Sequence, residues 1–222
     1  EKPAPVKPIV AGVEAPIKFI GNNASFLVNY RYSTLGLLND LGLNLGTGSA
    51  VPKYQDINFK LNIPTEKSGI FSIWGLGGIS DISFLADDKS DNLYSANNEN
   101  LNSGSTTGIL GVNHKYFFND RTSSTFSIAL SKSKNRNTRE KIIPSNPDQF
   151  QTIYDGNSEQ NKTTVNWTIK SKTNKKNFIK VGANIDMFNI KILDSILVNN
   201  SFWFKESDFE GKTSLFRVFG QW

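Results

Sequence analysis

The chain alternates apolar and polar residues most regularly in the stretch Asp56-Ile57-Asn58-Phe59-Lys60-Leu61-Asn62-Ile63. Successive side chains of a β-strand point to opposite faces, so Ile57 and Phe59 share one face, while Asp56 and Lys60 share the other. Residues 64–69, Pro-Thr-Glu-Lys-Ser-Gly, follow directly and are typical of a hairpin turn. The stretch therefore predicts a strand with one apolar face that turns back into a second strand.

This pattern recurs along the chain. Short polar turns are centred near Asn22, Lys67, Arg121 and Lys175, at intervals of about 45 to 54 residues. Between and beside them the alternation predicts strands over residues 25–32, 56–63, 70–84, 107–118, 124–132, 162–172, 178–189 and 212–222. Residues 9–17 are a ninth candidate, which stays open because Pro16 disfavours a strand there. The sequence thus predicts eight or nine strands.

Long polar segments connect the strands at the ends away from the short turns. They cover residues 33–53, 85–106, 133–161 and 190–211. Loops of this length are uncommon in compact soluble domains, whereas outer-membrane barrels combine short periplasmic turns with long extracellular loops. We therefore expect an all-β fold, namely an antiparallel transmembrane β-barrel segment of about 8–9 strands with short periplasmic turns and long extracellular loops.

The composition excludes several classes of protein. A mean hydropathy of -0.37 and the lack of any run of about 20 apolar residues exclude a helical membrane protein. The chain has no cysteine, which excludes disulfides and thiolate metal sites, and its one histidine, His114, excludes a site with several histidine ligands. The net charge of +5 is spread along the chain and gives little support for nucleic-acid binding. No grouping of acid, base and nucleophile stands out, so we expect neither an enzyme nor a cofactor.

Three stretches, in this order and at this spacing, resemble TonB-dependent outer-membrane receptors of the Bacteroidota. They are Val28-Asn29-Tyr30-Arg31-Tyr32-Ser33-Thr34-Leu35, Tyr54-Gln55-Asp56-Ile57-Asn58-Phe59-Lys60-Leu61 and Gly69-Ile70-Phe71-Ser72-Ile73-Trp74-Gly75-Leu76-Gly77-Gly78. The similarity covers residues 12–135 and corresponds to the first part of the barrel, after the plug. It implies a barrel of about 22 strands, occluded by a plug, that imports a bulky nutrient with energy from TonB.

The chain departs from that family pattern because it has no recognisable plug, no TonB-contacting segment and too few strands. It begins at Glu1 without a signal peptide, so we expect a mature, truncated or excised sequence. Residues 1–222 are then part of a β-barrel domain, with residues 1–15 a linker or an incomplete first strand. The implied location is the outer membrane of a Gram-negative bacterium. The implied partners are outer-membrane lipid, the plug and other strands of the same receptor, the TonB complex through the missing part, and a surface lipoprotein.

Two clusters in the predicted loops are candidate binding sites. Asp87, Asp88 and Asp91 could bind Ca²⁺ through oxygen ligands, although their spacing does not match an EF-hand and a solvated loop is favoured. The second cluster could meet lipopolysaccharide phosphates or an anionic substrate, with a solvated loop again favoured. It is a basic outer loop that carries Lys132, Lys134, Arg136, Arg139 and Lys141.

Aromatic residues supply a third candidate. Trp203, with Phe202 and Phe204, is the best candidate for ligand contact, whereas Trp167 and Trp222 are expected to anchor at membrane interfaces. His114 is expected in a strand near the periplasmic interface. Charged residues on the polar faces of the strands are expected to hydrate a barrel lumen or to pair with a plug, namely Arg31, Asp56, Lys60, Lys170, Lys180 and Asp186.

Two alternatives remain open from the sequence. One is a self-contained eight-stranded outer-membrane protein with a structural or adhesive role, since eight strands can close into a small barrel. The other is a soluble β-sandwich that serves as a surface binding module, in which the face of Ile57, Phe59 and Leu61 packs against a second sheet.

Overall fold

The fold is all-β. The computed structural model describes residues 9–17, 23–33, 52–84, 99–143 and 146–222. These residues form nine strands, in chain order β1 (Ile9–Ile17), β2 (Ala24–Tyr32), β3 (Lys53–Thr65), β4 (Gly69–Phe84), β5 (Glu99–Asn119), β6 (Thr122–Ile143), β7 (Asn146–Lys172), β8 (Phe178–Val198) and β9 (Phe202–Gln221).

All nine strands belong to one antiparallel sheet in which each strand pairs with the next along the chain. The sheet is open, since no pairing joins β1 to β9 in the part of the chain that the structure describes. The prediction of an all-β antiparallel sheet is confirmed, and residues 9–17 prove to be its ninth strand. Pro16 lies near the end of β1, which is an edge strand and therefore tolerates a residue that has no backbone N–H to donate.

Side chains close three of the four predicted short turns. After β3, the Thr65 hydroxyl accepts a hydrogen bond from the Ser68 N–H at 3.0 Å, and Gly69 has a φ of 83°. The side-chain oxygen of Asn119 accepts hydrogen bonds from two backbone N–H groups of the β5–β6 turn at 2.9 Å each, and Asn174 does the same after β7 at 2.9 and 2.8 Å. Asparagine and threonine favour turns because they bond to nearby backbone groups in this way. The turns near Lys67, Arg121 and Lys175 are confirmed, while Asn22 lies outside the described residues.

Two of the four predicted long loops are wrong, because the structure has long hairpins there. Strands β6 and β7 extend through most of residues 133–161, and β8 and β9 through most of 190–211. Strand β7 alone has 27 residues. The error has a physical reason in β6 and β7, where residues 133–161 have no apolar face and cross-strand ion pairs and hydrogen bonds hold the strands together. Residues 190–198 do alternate, with Ile190, Ile192 and Ile196 on one side, so part of the second hairpin was predictable. The other two predicted loops lie largely outside the described residues, although β5 already begins at Glu99.

The β8–β9 hairpin ends in a tight turn that the sequence does signal. Asn199 and Asn200 both have positive φ, at 50° and 54°, and the Ser201 N–H donates to the Val198 carbonyl at 3.0 Å. Two consecutive residues of positive φ define the two-residue hairpin turn that asparagine favours. Asn-Asn between two alternating runs is therefore a usable turn signal.

The sheet has an apolar face and a polar face, and directly paired residues always share a face. We call the face that carries Ile57 and Phe59 the apolar face, and the opposite face, which carries Asp56 and Lys60, the polar face. Among the described residues, the only buried hydrophobic residue is Ala24. The protein exposes 15508 Å², against about 10,000 Å² for a compact monomer of its mass. The described chain is therefore a single layer whose apolar face is not covered.

Candidate functional site

The most extensive feature of the surface is a band of exposed apolar side chains on the apolar face. Their exposed fractions run from 37% at Phe59 to 69% at Val218. Every strand from β2 to β9 contributes, because the register places apolar residues of neighbouring strands side by side. We call this band the apolar belt, and its members include Val28, Ile57, Phe59, Ile73, Leu110, Val112, Phe126, Ile128, Leu130, Val181, Ile185, Met187, Phe216 and Val218.

The belt ends abruptly across five strands. The last belt residues of β5, β6 and β8 are Leu110, Leu130 and Met187, which share one row of directly paired neighbours with Thr163 of β7 and Ser214 of β9. Two residues further along each strand, on the same face, the row is Gly108, Lys132, Asn161, Asn189 and Lys212. The apolar surface thus gives way to a polar one within two residues on β5, β6 and β8 and slightly earlier on β7 and β9.

The height of the belt matches the apolar core of an outer membrane. On β8 it runs from Ile179 to Met187, about 27 Å at 3.4 Å per residue. If the strand is tilted by about 40°, this length projects to about 20 Å along the membrane normal. The apolar band on outer-membrane barrels is of similar height, about 25 Å.

Aromatic rings gather on this face near the short turns. Phe71 stacks on His114 with ring centroids 4.4 Å apart, and Tyr116 meets Phe118 edge to face at 5.2 Å. The Nε2 atom of His114 lies 2.7 Å from the carbonyl of Ser68 in the β3–β4 turn. The indole N–H of Trp167 donates to the Ser124 hydroxyl at 2.8 Å. Rings with one polar contact suit a membrane–water boundary, and His114 lies in a strand at the short-turn end.

Above the belt, at the end away from the short turns, charged residues of opposite sign alternate across the sheet. One row of paired neighbours reads Lys134, Glu159, Lys191 and Glu210. Ion pairs join Lys132 to Glu159 at 2.9 Å, Lys191 to Glu210 at 2.9 Å and Arg136 to Asp155 at 3.0 Å. We call these residues the charged rim, which consists of Lys132, Lys134, Arg136, Asp155, Glu159, Lys191 and Glu210.

The rim pairs are strong enough to shift the ionisation of three of their members. The hydrogen bond from Lys132 lowers the pKa of Glu159, and the hydrogen bond to Glu210 raises the pKa of Lys191. Arg136 donates two hydrogen bonds to the Asp155 carboxylate, and these bonds raise the pKa of the Arg136 guanidinium above its ordinary value. Glu159, Lys191 and Arg136 therefore carry their charges at neutral pH.

The predicted basic outer loop is corrected by the structure, because its residues lie on strand β6. Lys132, Lys134 and Arg136 lie on the apolar-face side, within the charged rim, whereas Arg139 and Lys141 fall on the polar-face side. Arg139 stacks on the Tyr154 ring at 5.2 Å. Burial, followed by the nearby charge of Asp194, raises the pKa of Tyr154. The five cations thus form two separate surfaces.

The three aromatic ligand-contact candidates do not form one site. Phe202, Trp203 and Phe204 begin β9 and are about half exposed. Trp203 lies on the apolar-face side, where it lines a polar cleft with Arg136 and Asp155. Its two neighbours point to the opposite side, as consecutive strand residues must. Asp87, Asp88 and Asp91 lie outside the described residues, and within these the structure brings together no group of three or more His, Cys, Asp or Glu that could hold a metal.

The polar face carries an ionic cluster that the sequence does not reveal. Asp186 is only 1% exposed. It accepts a hydrogen bond from the Thr164 hydroxyl at 2.7 Å, lies 3.1 Å from the Lys162 ammonium and pairs with Arg217. Finding this cluster requires the pairing of β7 with β8 and β9, which alternation alone does not supply. Asp186 is therefore a buried structural anion and not the hydrated lumenal charge expected from the sequence.

The remaining charges predicted for the polar face lie there. Arg31 and Asp56 are paired neighbours on β2 and β3, with an ion pair of 2.7 Å. Lys60, Lys170 and Lys180 occupy the same face by register.

Together, these features describe an all-β protein whose described residues form one antiparallel sheet, with a continuous apolar face and a charged rim at one end of it. No protein-family model matches the chain, and no curated protein matches it. None of the described residues forms a helix long and apolar enough to cross a membrane.

Proposed function

We propose that this chain forms part of the wall of an outer-membrane β-barrel in a TonB-dependent transporter that takes up a nutrient. The observation that carries the proposal is the apolar belt, which is exposed, continuous from β2 to β9 and followed along the strands by polar residues. A half-exposed large apolar side chain forgoes on the order of 1 kcal/mol of burial in water. A lipid bilayer removes that cost for the whole belt at once.

The polar face supports the same arrangement. A barrel wall alternates lipid-facing and lumen-facing side chains. The polar face would line the lumen, with Asp56 and Lys60 facing water or a plug and Asp186 buried between its two cations. The short turns would then lie in the periplasm and the charged rim outside the cell.

The edges of the described sheet support the proposal that further strands belong to the assembly. Strands β1 and β9 each have one side without a partner among the described residues. An open edge leaves backbone N–H and C=O groups without hydrogen bonds, which hydrocarbon does not tolerate. The remaining strands of the same receptor are the proposed partners of these edges. The resemblance of residues 12–135 supports the TonB-dependent class, with the plug, the TonB complex and a surface lipoprotein as proposed partners.

The two alternatives have less support. A self-contained barrel of eight strands needs its first and last strands to pair, whereas the described residues form nine strands of which the first and last do not pair. A soluble sandwich needs a second sheet over Ile57 and Phe59, and these side chains are 46% and 37% exposed. The apolar face is uncovered by any described part of the chain.

Single cysteines test the proposal cleanly, because the chain has none of its own. In lipid vesicles, Ile128→Cys on the belt should resist a water-soluble maleimide. Ser127→Cys, its immediate neighbour on the polar face, should react, and it is the matched control for insertion and folding. Equal reactivity at the two positions would contradict a lipid-facing belt.

A further inference from the structure

On the basis of the proposed membrane orientation, we infer that the apolar-face side of the sheet, mainly strands β3 to β7 with Trp203 of β9, binds a phosphorylated glycolipid of the outer leaflet. Three features lie in order along these strands: an apolar groove, a row of cations and a polar cleft. They correspond to the acyl chain, the phosphate and the sugar of such a lipid.

The groove exists because two glycines face each other within the belt. Gly77 and Gly108 are direct partners on β4 and β5. A side chain added at Gly108 would meet nothing within 4 Å, and the nearest atom at Gly77 is 3.9 Å away, on Ile57. The missing side chains leave a furrow of about 580 Å³, whose walls include Ile57, Phe59, Leu110 and Leu130. An acyl chain fits a narrow apolar furrow of this kind better than a flat belt.

Three cationic side chains of β6 lie at and beyond the end of the groove that is away from the short turns. Lys132 lines it, and Lys134 and Arg136 follow on the same face of β6, at steps of about 6.6 Å. Their paired neighbours on β5 are Gly108, Thr106 and Gly104, which are small and uncharged.

The carboxylates of the rim leave this side open. Glu159 and Asp155, which pair with Lys132 and Arg136, both belong to β7, on the far side of the cations. The Asp81 carboxylate lies against Gly104, beside Arg136, so a phosphate over the β5 side would meet Lys132 and Lys134 before a carboxylate. Lysine and arginine bind phosphate oxygens through charge-assisted hydrogen bonds.

The polar cleft lies beyond the cations. It has a volume of about 510 Å³ and is lined by Asp81, Asn102, Thr138 and Trp203 among others. Carboxylate, amide and hydroxyl groups bond to sugar hydroxyls, and an indole ring covers the apolar side of a sugar. A phospholipid without sugar would leave this cleft unused, and a soluble glycan would leave the groove unused. A phosphorylated glycolipid accounts for all three features.

The test measures binding of lipid A, an acylated and phosphorylated glucosamine disaccharide, to the full protein by native mass spectrometry. Insertion into lipid is verified first, by showing that the cysteine of Ile128→Cys is protected from the water-soluble maleimide. Two variants probe separate parts of the site: Gly108→Leu fills the groove, and Lys134→Glu reverses one rim charge. Each should weaken lipid A binding about tenfold. Lys175→Glu makes the same charge change in the β7–β8 turn and should leave binding unchanged.

The outcomes separate this inference from the function on which it rests. Weaker binding of dephosphorylated lipid A and of phosphatidylglycerol than of lipid A supports the site. Equal binding of phosphatidylglycerol, or unchanged lipid A binding in Gly108→Leu and Lys134→Glu, would overturn the glycolipid site and leave the barrel intact. Free reaction of Ile128→Cys with the aqueous reagent would overturn the barrel, and the glycolipid site with it.

Discussion

At the scale of single residues, Asp186 shows how much depends on cross-strand register. Its position on the polar face follows from alternation, but its burial depends on Lys162 and Arg217, which stand on different strands. A buried carboxylate is tolerated only when it is paired and hydrogen-bonded. Asp186 meets that condition through both cations and the Thr164 hydroxyl.

Removing this anion should destabilise the sheet. Asp186→Asn leaves two cations without their partner, and because both stay partly solvated we expect a loss of about 2 kcal/mol in the free energy of unfolding. Urea unfolding in detergent, followed by tryptophan fluorescence, measures it. Asp208→Asn is the matched control, because its pair with Lys205 is exposed, and we expect a change of less than about 1 kcal/mol. Equal losses in the two variants would contradict the structural role of Asp186.

The pair of Lys132 and Glu159 predicts a dependence of stability on pH. The pKa of Glu159 is lower in the folded protein than its ordinary value of 4.5. Its contribution is therefore fully present above about pH 4.5 and is lost as the pH falls through the lower, folded pKa. We expect the Tm of the wild type to exceed that of Glu159→Gln at pH 7 and the two to converge at acidic pH. A difference that grows on acidification would contradict this linkage.

At the scale of strands, alternation predicts what lies within the belt and fails above it. The predicted strand at residues 70–84 nearly coincides with β4 (Gly69–Phe84), because its apolar residues mark it. Residues 131–141 of β6 are almost all polar, so the pattern that marks a strand is lost where the belt ends. The separation of Trp203 from Phe202 and Phe204 was predictable, since neighbouring strand residues always face apart. The Asp186 cluster and the charged rim were not, because both depend on pairing between distant segments.

The β8–β9 turn gives a prediction at this scale. Asn200 has a φ of 54°, which a β-branched residue adopts only at a cost of about 1–3 kcal/mol. Asn200→Val should therefore open the tip of the hairpin, while Asn200→Gly should leave it intact. Hydrogen exchange of the amides of residues 195–205 measures the opening. Equal protection in the two variants would contradict the assigned turn.

At the scale of the whole molecule, the main feature is that the described residues form no covered hydrophobic core, since Ala24 is their only buried hydrophobic residue. In water, a single layer with an exposed belt leaves its large apolar side chains without the burial that stabilises a folded domain. In the proposed orientation the bilayer supplies that burial, with lipid on the apolar face and water on the polar face. The change from apolar to polar side chains along these strands fits this arrangement, because lipid-facing residues give way to polar ones where the headgroups begin.

The most direct measurement is a spin-label scan along β8 in lipid vesicles. Single cysteines at each position from Ile179 to Lys191 are labelled, and collision with oxygen, which partitions into lipid, is compared with collision with a water-soluble nickel complex. A lipid-facing belt predicts high oxygen exposure at every second position from Ile179 to Met187, and nickel exposure at Asn189 and Lys191 on the same face. Nickel exposure of Ile179, Val181 and Ile185 equal to that of Lys191 would contradict it.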